Sequence, residues 1–333
     1  MTAVGLDRIV LAQKRISSHI RRTPLSVSDT LSTHCDFPIH LKLESHQSTG
    51  SFKLRGATNA VLSFDSKAKK AGLVTASTGN HGRALAHAAQ AEGVRAVICM
   101  SALVPDNKVE AVKALGAEVR IVGYSQDDAQ EEVERLVREE GLNQIPAFDH
   151  ADVIAGQGTI GLEIAEACPD AELVLVPLSG GGLAAGIAAA IKGRLPQVRV
   201  IGVSMERGAA MYESLRAGRP VTVEELQTLA DSLGGGIGLQ NRYTFAMCRD
   251  LLDDVVLLTE EEIAEGIRHA FTAEGEVVEG AGAVGIAALL AQKVDVRGPT
   301  VVVVSGCNID EELHNSILSS GSNAVSAAGG RGR

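Results

Sequence analysis

The feature that most constrains this chain is a series of short apolar runs without polar alternation. They are VRAVICM (94–100), AEVRIVG (117–123), AELVLVPL (171–178), VRVIGVS (198–204) and GPTVVVVSG (298–306). A strand that is apolar on both faces has to be covered on both faces, which describes a parallel sheet between helix layers. Helical patterns separate the runs. ALAHAAQAEG (84–93) is one. DAQEEVERLVREEG (128–141) is another, with Val133, Leu136 and Val137 expected on its buried face. Strand and helix in alternation imply an α/β fold.

Two segments repeat one plan: apolar strand, glycine-rich turn, alanine-rich helix. One is LVTASTGNHGRALAHAAQ (73–90) and the other LVLVPLSGGGLAAGIAAAI (173–191), a loose internal duplication. A chain of 333 residues can bury two cores. Its 45% hydrophobic and 22% charged content is that of a soluble globular protein. The net charge of -10 argues against a nucleic-acid partner. The N-terminal MTAVGLDRIVLAQKRIS contains Asp7 and no continuous apolar core, so no secretory signal is expected. No apolar run reaches a membrane-spanning length of about 18 residues. Cys35, Cys99, Cys168, Cys248 and Cys307 are scattered and form no CxxC pair. That argues against a disulfide framework or a structural zinc site, and a reducing cytoplasm fits best. The small, polar end of SSGSNAVSAAGGRGR (319–333), from 321 onward, is expected to be a disordered tail.

Three turns carry chemistry. SGGGLAAG (179–186) opens a helix after a strand, where successive amides can bind a phosphate, although such a turn can also bind nothing. Gly180, Gly182 and Gly186 also fit a variant dinucleotide loop, with Glu206 available to hold a ribose, so a nicotinamide enzyme competes. No Gly-Lys-Ser/Thr ends the turn, which excludes a Walker A loop. ASTGNHG (76–82) can hold a carboxylate on its amides, or Ser77 or Thr78 can simply cap the helix. His81 is either a base or a local hydrogen-bonding group. HQSTGSFKLRG (46–56) sets Lys53 between Phe52 and Leu54, with Arg55 following. Apolar burial and a neighbouring cation both lower a lysine pKa and make it a nucleophile. The plain alternative is a surface lysine.

SFKLRGA, STGNHG, SGGGL and SGCNID together, in this order and spacing, resemble the fold-type II pyridoxal-phosphate enzymes, in their serine/threonine dehydratase and serine racemase branch. The resemblance spans roughly residues 10 to 318. It implies a tryptophan synthase β-like fold with two open twisted α/β domains and the cofactor in the cleft. A large domain of residues 1–71 and 150–320 would carry a small inserted domain of residues 72–149. The resemblance further implies that Lys53 holds pyridoxal phosphate as a Schiff base and takes the Cα proton. Phe52 would pack near the ring, and Asn80 would bond its hydroxyl. Ser179, Gly180, Gly181, Gly182 and Leu183 would cup the phosphate, and Ser305 would meet the pyridine nitrogen. A serine there leaves that nitrogen near neutral and favours prompt loss of a β-leaving group. Ser77, Thr78, Gly79, Asn80 and His81 would receive the substrate carboxylate.

Thr78 stands where the related racemases carry a serine acting as second acid/base, so it is a further candidate catalytic residue. The branch's Mg2+ or Ca2+ site maps to Glu206, the Ala210 carbonyl and Tyr212. Tyrosine is a poor ligand for either ion, which puts the metal in doubt. Cys307 replaces a glycine and either touches the cofactor or fills the core. GGGIGLQNRYTFAMCRDLLD (234–253) resembles 3-hydroxyaspartate dehydratases and the dehydratase of hydroxyectoine breakdown. Arg242 follows a glycine-rich loop that in this family faces the substrate, so with His150 it is expected to bind a distal carboxylate, the plain alternative being an arginine in a structural ion pair. The reading is a cytoplasmic homodimer that eliminates water and then ammonia from 3-hydroxyaspartate or a related acidic β-hydroxy amino acid. Serine/threonine dehydration, racemisation, a nicotinamide oxidoreductase and a non-catalytic binding protein are the alternatives.

Overall fold

The computed structural model describes residues 4–77, 79–104 and 106–328. Among the described residues ten strands form two sheets. β1 (Leu25–Val27), β2 (Ile39–Leu43), β7 (Leu173–Pro177), β8 (Arg199–Met205), β9 (Asp254–Leu258) and β10 (Thr300–Val304) build the larger one. Its order is β1-β2-β10-β7-β8-β9, parallel except for β1 on the edge. β3 (Leu73–Ala76), β4 (Ala96–Met100), β5 (Glu118–Ile121) and β6 (Asn143–Gln144) build the smaller sheet, order β5-β4-β3-β6, all parallel. The five apolar runs are β4, β5, β7, β8 and β10, and the central ones are buried along their whole length.

Two apolar cores sandwich the large sheet. One holds Ile154, Val174, Ile187 and Val301, and the other Leu41, Leu175, Ile267 and Val302. Alternate residues of one strand thus enter opposite cores, as the pleat requires. Around the small sheet, Leu54, Ala57 and Val61 join Leu73, Leu85 and Ile98 in one core. The helix Lys53–Ser63 therefore packs with the small sheet, although it precedes the expected domain boundary at 72. Its apolar face meets the helix Asn80–Ala91, so packing reaches back across the boundary that chain order suggests.

Two expectations are corrected. In the helix Gln126–Glu140 the buried residues are Ala129, Val133 and Leu136, while Val137 is exposed. Ala129, Val133 and Leu136 fall within about 60° of one another around the helix, and Val137 lies at the edge of that stripe, about 40° beyond Val133. The helix Glu311–Ala328 continues past 321, where a disordered tail is expected, and residues 329–333 lie outside the described residues. His314 and Ile317 anchor its first half, and extending a nucleated helix costs far less than starting one. All five cysteines are free. Among the described residues no helix is long and apolar enough to cross a membrane.

In each sheet the chain reverses direction once. β7, β8 and β9 proceed to one edge and β10 returns to the other side of β7. β3, β4 and β5 do the same, with β6 returning beside β3. Ligands of open parallel sheets bind beyond the carboxyl ends of the strands at such reversals. The segments there are 179–182, 305–308, 79–80 with Ser77, and 145–150.

Candidate active site

These four segments converge on one cleft. A cavity of about 400 Å³ is lined by Lys53, Ser77, Gly79, Asn80, His81, Ala147, Glu279 and Cys307, among others. A narrower slot of about 40 Å³ adjoins it, sharing Lys53, Asn80, Ser232 and Glu279, and adds Phe52, Phe148, Ser179, Gly180, Gly181, Gly182, Leu183 and Ser305.

Lys53 is the first residue of its helix, and its Nζ donates to the Ala147 carbonyl at 3.0 Å. Phe52 N–H donates to the Ser305 carbonyl at 3.0 Å, tying the lysine turn to the end of β10. Burial pushes the Lys53 pKa down to about 8, against the opposing pull of the Glu279 carboxylate. Arg55, expected to help as a neighbouring cation, does not. Its guanidinium is fully buried and binds Glu44 and Glu163 instead. Two residues on along a helix is a different face, so adjacency in sequence does not bring the cation to Lys53.

The SGGG turn ends β7 and opens the helix Gly182–Arg194. Gly181 has φ +90, a left-handed conformation that favours glycine, and a Cβ on Gly180 would lie 2.5 Å from the Phe148 ring. The amides of Gly180, Gly181, Gly182 and Leu183 have no acceptor among the described residues. Unpaired amides at the start of a 13-residue helix, lining a narrow slot, suit a phosphate. A buried lysine beside them, able to lose its proton near neutrality, suits an aldehyde. The residues present therefore fit pyridoxal phosphate. Glu206, the expected ribose partner of a dinucleotide, lies outside both the cavity and the slot.

Ser77 Oγ accepts from Gly82 N–H at 2.9 Å and Gly79 N–H at 3.4 Å, so it caps the helix Asn80–Ala91 while lining the cavity. A Cβ on Gly79 would meet nothing within 4 Å, so its backbone faces open space. His81 is a local hydrogen-bonding group: its Nε2 pairs with the Ile145 carbonyl at 2.9 Å, and burial with nearby Lys53 pushes its pKa down to about 3. Thr78 lies outside the described residues. Ser305 is buried in the slot, and Cys307 lines the cavity with Sγ against the Ser45 carbonyl.

The structure does not bring Arg242 or His150 to this cavity. Asp149 accepts from the Arg242, Tyr243 and Thr244 amides at 2.6, 2.8 and 3.0 Å. That pins the turn by its backbone, leaving the guanidinium exposed over the Tyr243 ring. His150 caps the helix Ala151–Ala167, its Nδ1 accepting from Asp152 N–H. The glycine-rich segment does reach the cavity, through Asp231 and Ser232. Tyr212 lies under Arg216, and among the described residues no group of three or more His, Cys, Asp or Glu gathers to hold a metal.

Among the residues of the site that sequence reasoning missed are Phe148 and Glu279. Phe148 walls the slot. Glu279, fully inside the protein, accepts from Asn80 Nδ2 at 2.7 Å, and burial, with Asp231 nearby, pushes its pKa up to about 7. The signal for Glu279 was a carboxylate alone in the apolar VVEGAGAVGIAALL run.

These two shifts give a pH prediction for the cofactor-free chain. Glu279 binds its proton more tightly folded than unfolded, so stability falls as pH rises through about 7. Lys53 binds its proton less tightly folded, so stability recovers above about 8. Thermal melting should show a shallow minimum between them, flattened in Lys53→Met/Glu279→Gln. An identical profile in that variant would remove these groups as its cause.

The family model described as "Pyridoxal-phosphate dependent enzyme" matches residues 16–306. A "Putative threonine dehydratase" of Sinorhizobium fredii is 60% identical over 319 residues, covering 96% of each chain. An "L-threonine ammonia-lyase" of Thermotoga maritima is 42% identical, over 96% of this chain and 79% of the relative. The structure of maize serine racemase superposes with a TM-score of 0.89 at 31% identity, covering 98% of this chain and 99% of that one.

Proposed function

Because the chain belongs to the pyridoxal-phosphate dependent enzyme family, we propose that it is an ammonia-lyase acting on a small neutral β-hydroxy amino acid, threonine or serine. The observation that carries this is the buried Lys53, its pKa pushed down to about 8, beside a slot of unpaired amides. The bound cofactor supplies an electron sink for the pair released when the Cα proton leaves. The protein's part is positional. The amides of Gly180 to Leu183 hold the phosphate, and Asn80 orients the ring. Phe52 and Phe148 wall the slot. Lys53 Nζ takes the Cα proton. The segment 77–81, which leads into the helix Asn80–Ala91, receives the α-carboxylate. Loss of the Cα proton and the β-hydroxyl expels water. The resulting enamine tautomerises to an imine, and water then releases a keto acid and ammonia.

The relatives' names favour threonine over 3-hydroxyaspartate. The acidic reading also loses its anchor, since Arg242 stands on the surface. The same proposal takes the enzyme to be a cytoplasmic homodimer, the small domain inserted in the large one. Thr78 is proposed as the residue deciding whether some racemisation accompanies elimination.

The test is a panel of serine, threonine and 3-hydroxyaspartate with keto acid and ammonia measured, and the chirality of recovered substrate read in parallel. Equimolar keto acid and ammonia from threonine supports the reading; racemisation without either product replaces it. Arg242→Ala should change kcat/KM by no more than about twofold for every substrate, as befits a surface substitution. A selective tenfold loss with 3-hydroxyaspartate would restore the acidic substrate.

A further inference from the structure

A chain of hydrogen bonds of fixed polarity runs from the cavity wall to Asn80. Arg83 Nη1 donates to Asn308 Oδ1 at 2.6 Å. Asn308 Nδ2 donates to Asn80 Oδ1 at 2.5 Å and to the Thr49 carbonyl at 3.0 Å. Asn80 Nδ2 then donates to Glu279 Oε1 at 2.7 Å.

The direction of each bond follows from chemistry. A guanidinium has no acceptor, so Asn308 must present its oxygen to Arg83. A backbone carbonyl has no donor, so the Asn308 amino group must face Thr49. These two anchors, one on each end of the amide, leave Asn308 a single orientation. Its remaining N–H meets the Asn80 oxygen, which turns the Asn80 amino group toward Glu279 and the slot. The fold accommodates this arrangement. Arg83 lies three residues after Asn80 and shares its helix face. Gly50, at φ +74, leaves room where a Cβ would lie 2.7 Å from Asn308 Oδ1.

We propose that Asn308, held by Arg83, is a positioning residue that sets which atom of Asn80 faces the cofactor. Arg83 comes from the helix after β3 and Asn308 from the segment after β10, so the pair also joins the two sides of the cleft. The inference rests on the cofactor assignment and not on the choice of substrate.

The test uses the holoenzyme and needs no turnover. The cofactor's absorption band and the half-time of its loss on dialysis are measured. Asn308→Asp is isosteric and keeps the Arg83 contact. It places acceptors against Asn80 Oδ1 and the Thr49 carbonyl, so two bonds of the chain are lost. Cofactor should leave at least about tenfold faster, with a shifted band, by the weight of a hydrogen bond to a buried polar group. Arg83→Lys, a donor without acceptor, should behave as wild type. Arg83→Met keeps the bulk and should lie between. Should Asn308→Asp fail to fold, the Arg83 series decides. Wild-type retention and band in Asn308→Asp overturns the proposal. So does equal behaviour of Arg83→Lys and Arg83→Met, since bulk alone would then explain Arg83. Retention is read without substrate, so a wrong substrate assignment leaves the outcome intact.

Discussion

Lys53→Ala should abolish keto-acid formation from threonine, lowering kcat/KM by at least about a thousandfold, while the chain stays folded. The lysine is the only group proposed both to hold the cofactor and to take a proton, so both contributions go together. Proton transfer by a positioned group alone accounts for about 10²- to 10⁴-fold. Stability should not suffer, because an ammonium whose pKa is pushed down to about 8 by burial costs free energy in the fold. Borohydride treatment gives a readout besides activity. It should fix the cofactor to a peptide containing Lys53 in the wild type and to no peptide in the variant. Label on another lysine, or turnover at the wild-type rate in Lys53→Ala, would end the assignment.

The second large effect is expected on stability. Arg55→Ala should destabilise the chain by about 3–5 kcal/mol, the range for removing one partner of a buried ion pair. Arg55 is fully buried and forks onto Glu44, with Nε and Nη2 each at 2.8 Å from a carboxylate oxygen. Its Nη1 reaches Glu163 at 2.7 Å. Lys42 also binds Glu163, at 2.6 Å. Without Arg55, two buried carboxylates share one lysine. Arg55→Lys should recover little, since an ammonium cannot reproduce the fork. The cluster fastens the helix that begins at Lys53 to β2 and to the helix Ala151–Ala167, so cofactor retention should weaken as well. Urea unfolding monitored by circular dichroism measures the loss. A change under about 1 kcal/mol would show that the site relaxes or admits water.

Much of this protein was legible in its sequence because the relevant physics is local. Fully apolar runs demanded a covered parallel sheet, and β4, β5, β7, β8 and β10 are those runs. A glycine turn between strand and helix exposes amides wherever it occurs, so the SGGG slot could be read from residues 179–183 alone. Lys53 stood out for the same reason, from its setting between Phe52 and Leu54. Tertiary structure decided which neighbours count. Arg55 is adjacent in sequence yet turned toward Glu44 and Glu163, because helix geometry sends side chains two residues apart to different faces. Arg242 sits in the expected segment yet faces solvent, because Asp149, 93 residues away, holds its backbone and not its side chain. Glu279 reaches Asn80 across 199 residues. Such partners are joined by the closing of two sheets on one cleft, and no local pattern encodes the direction in which a side chain points once it arrives there.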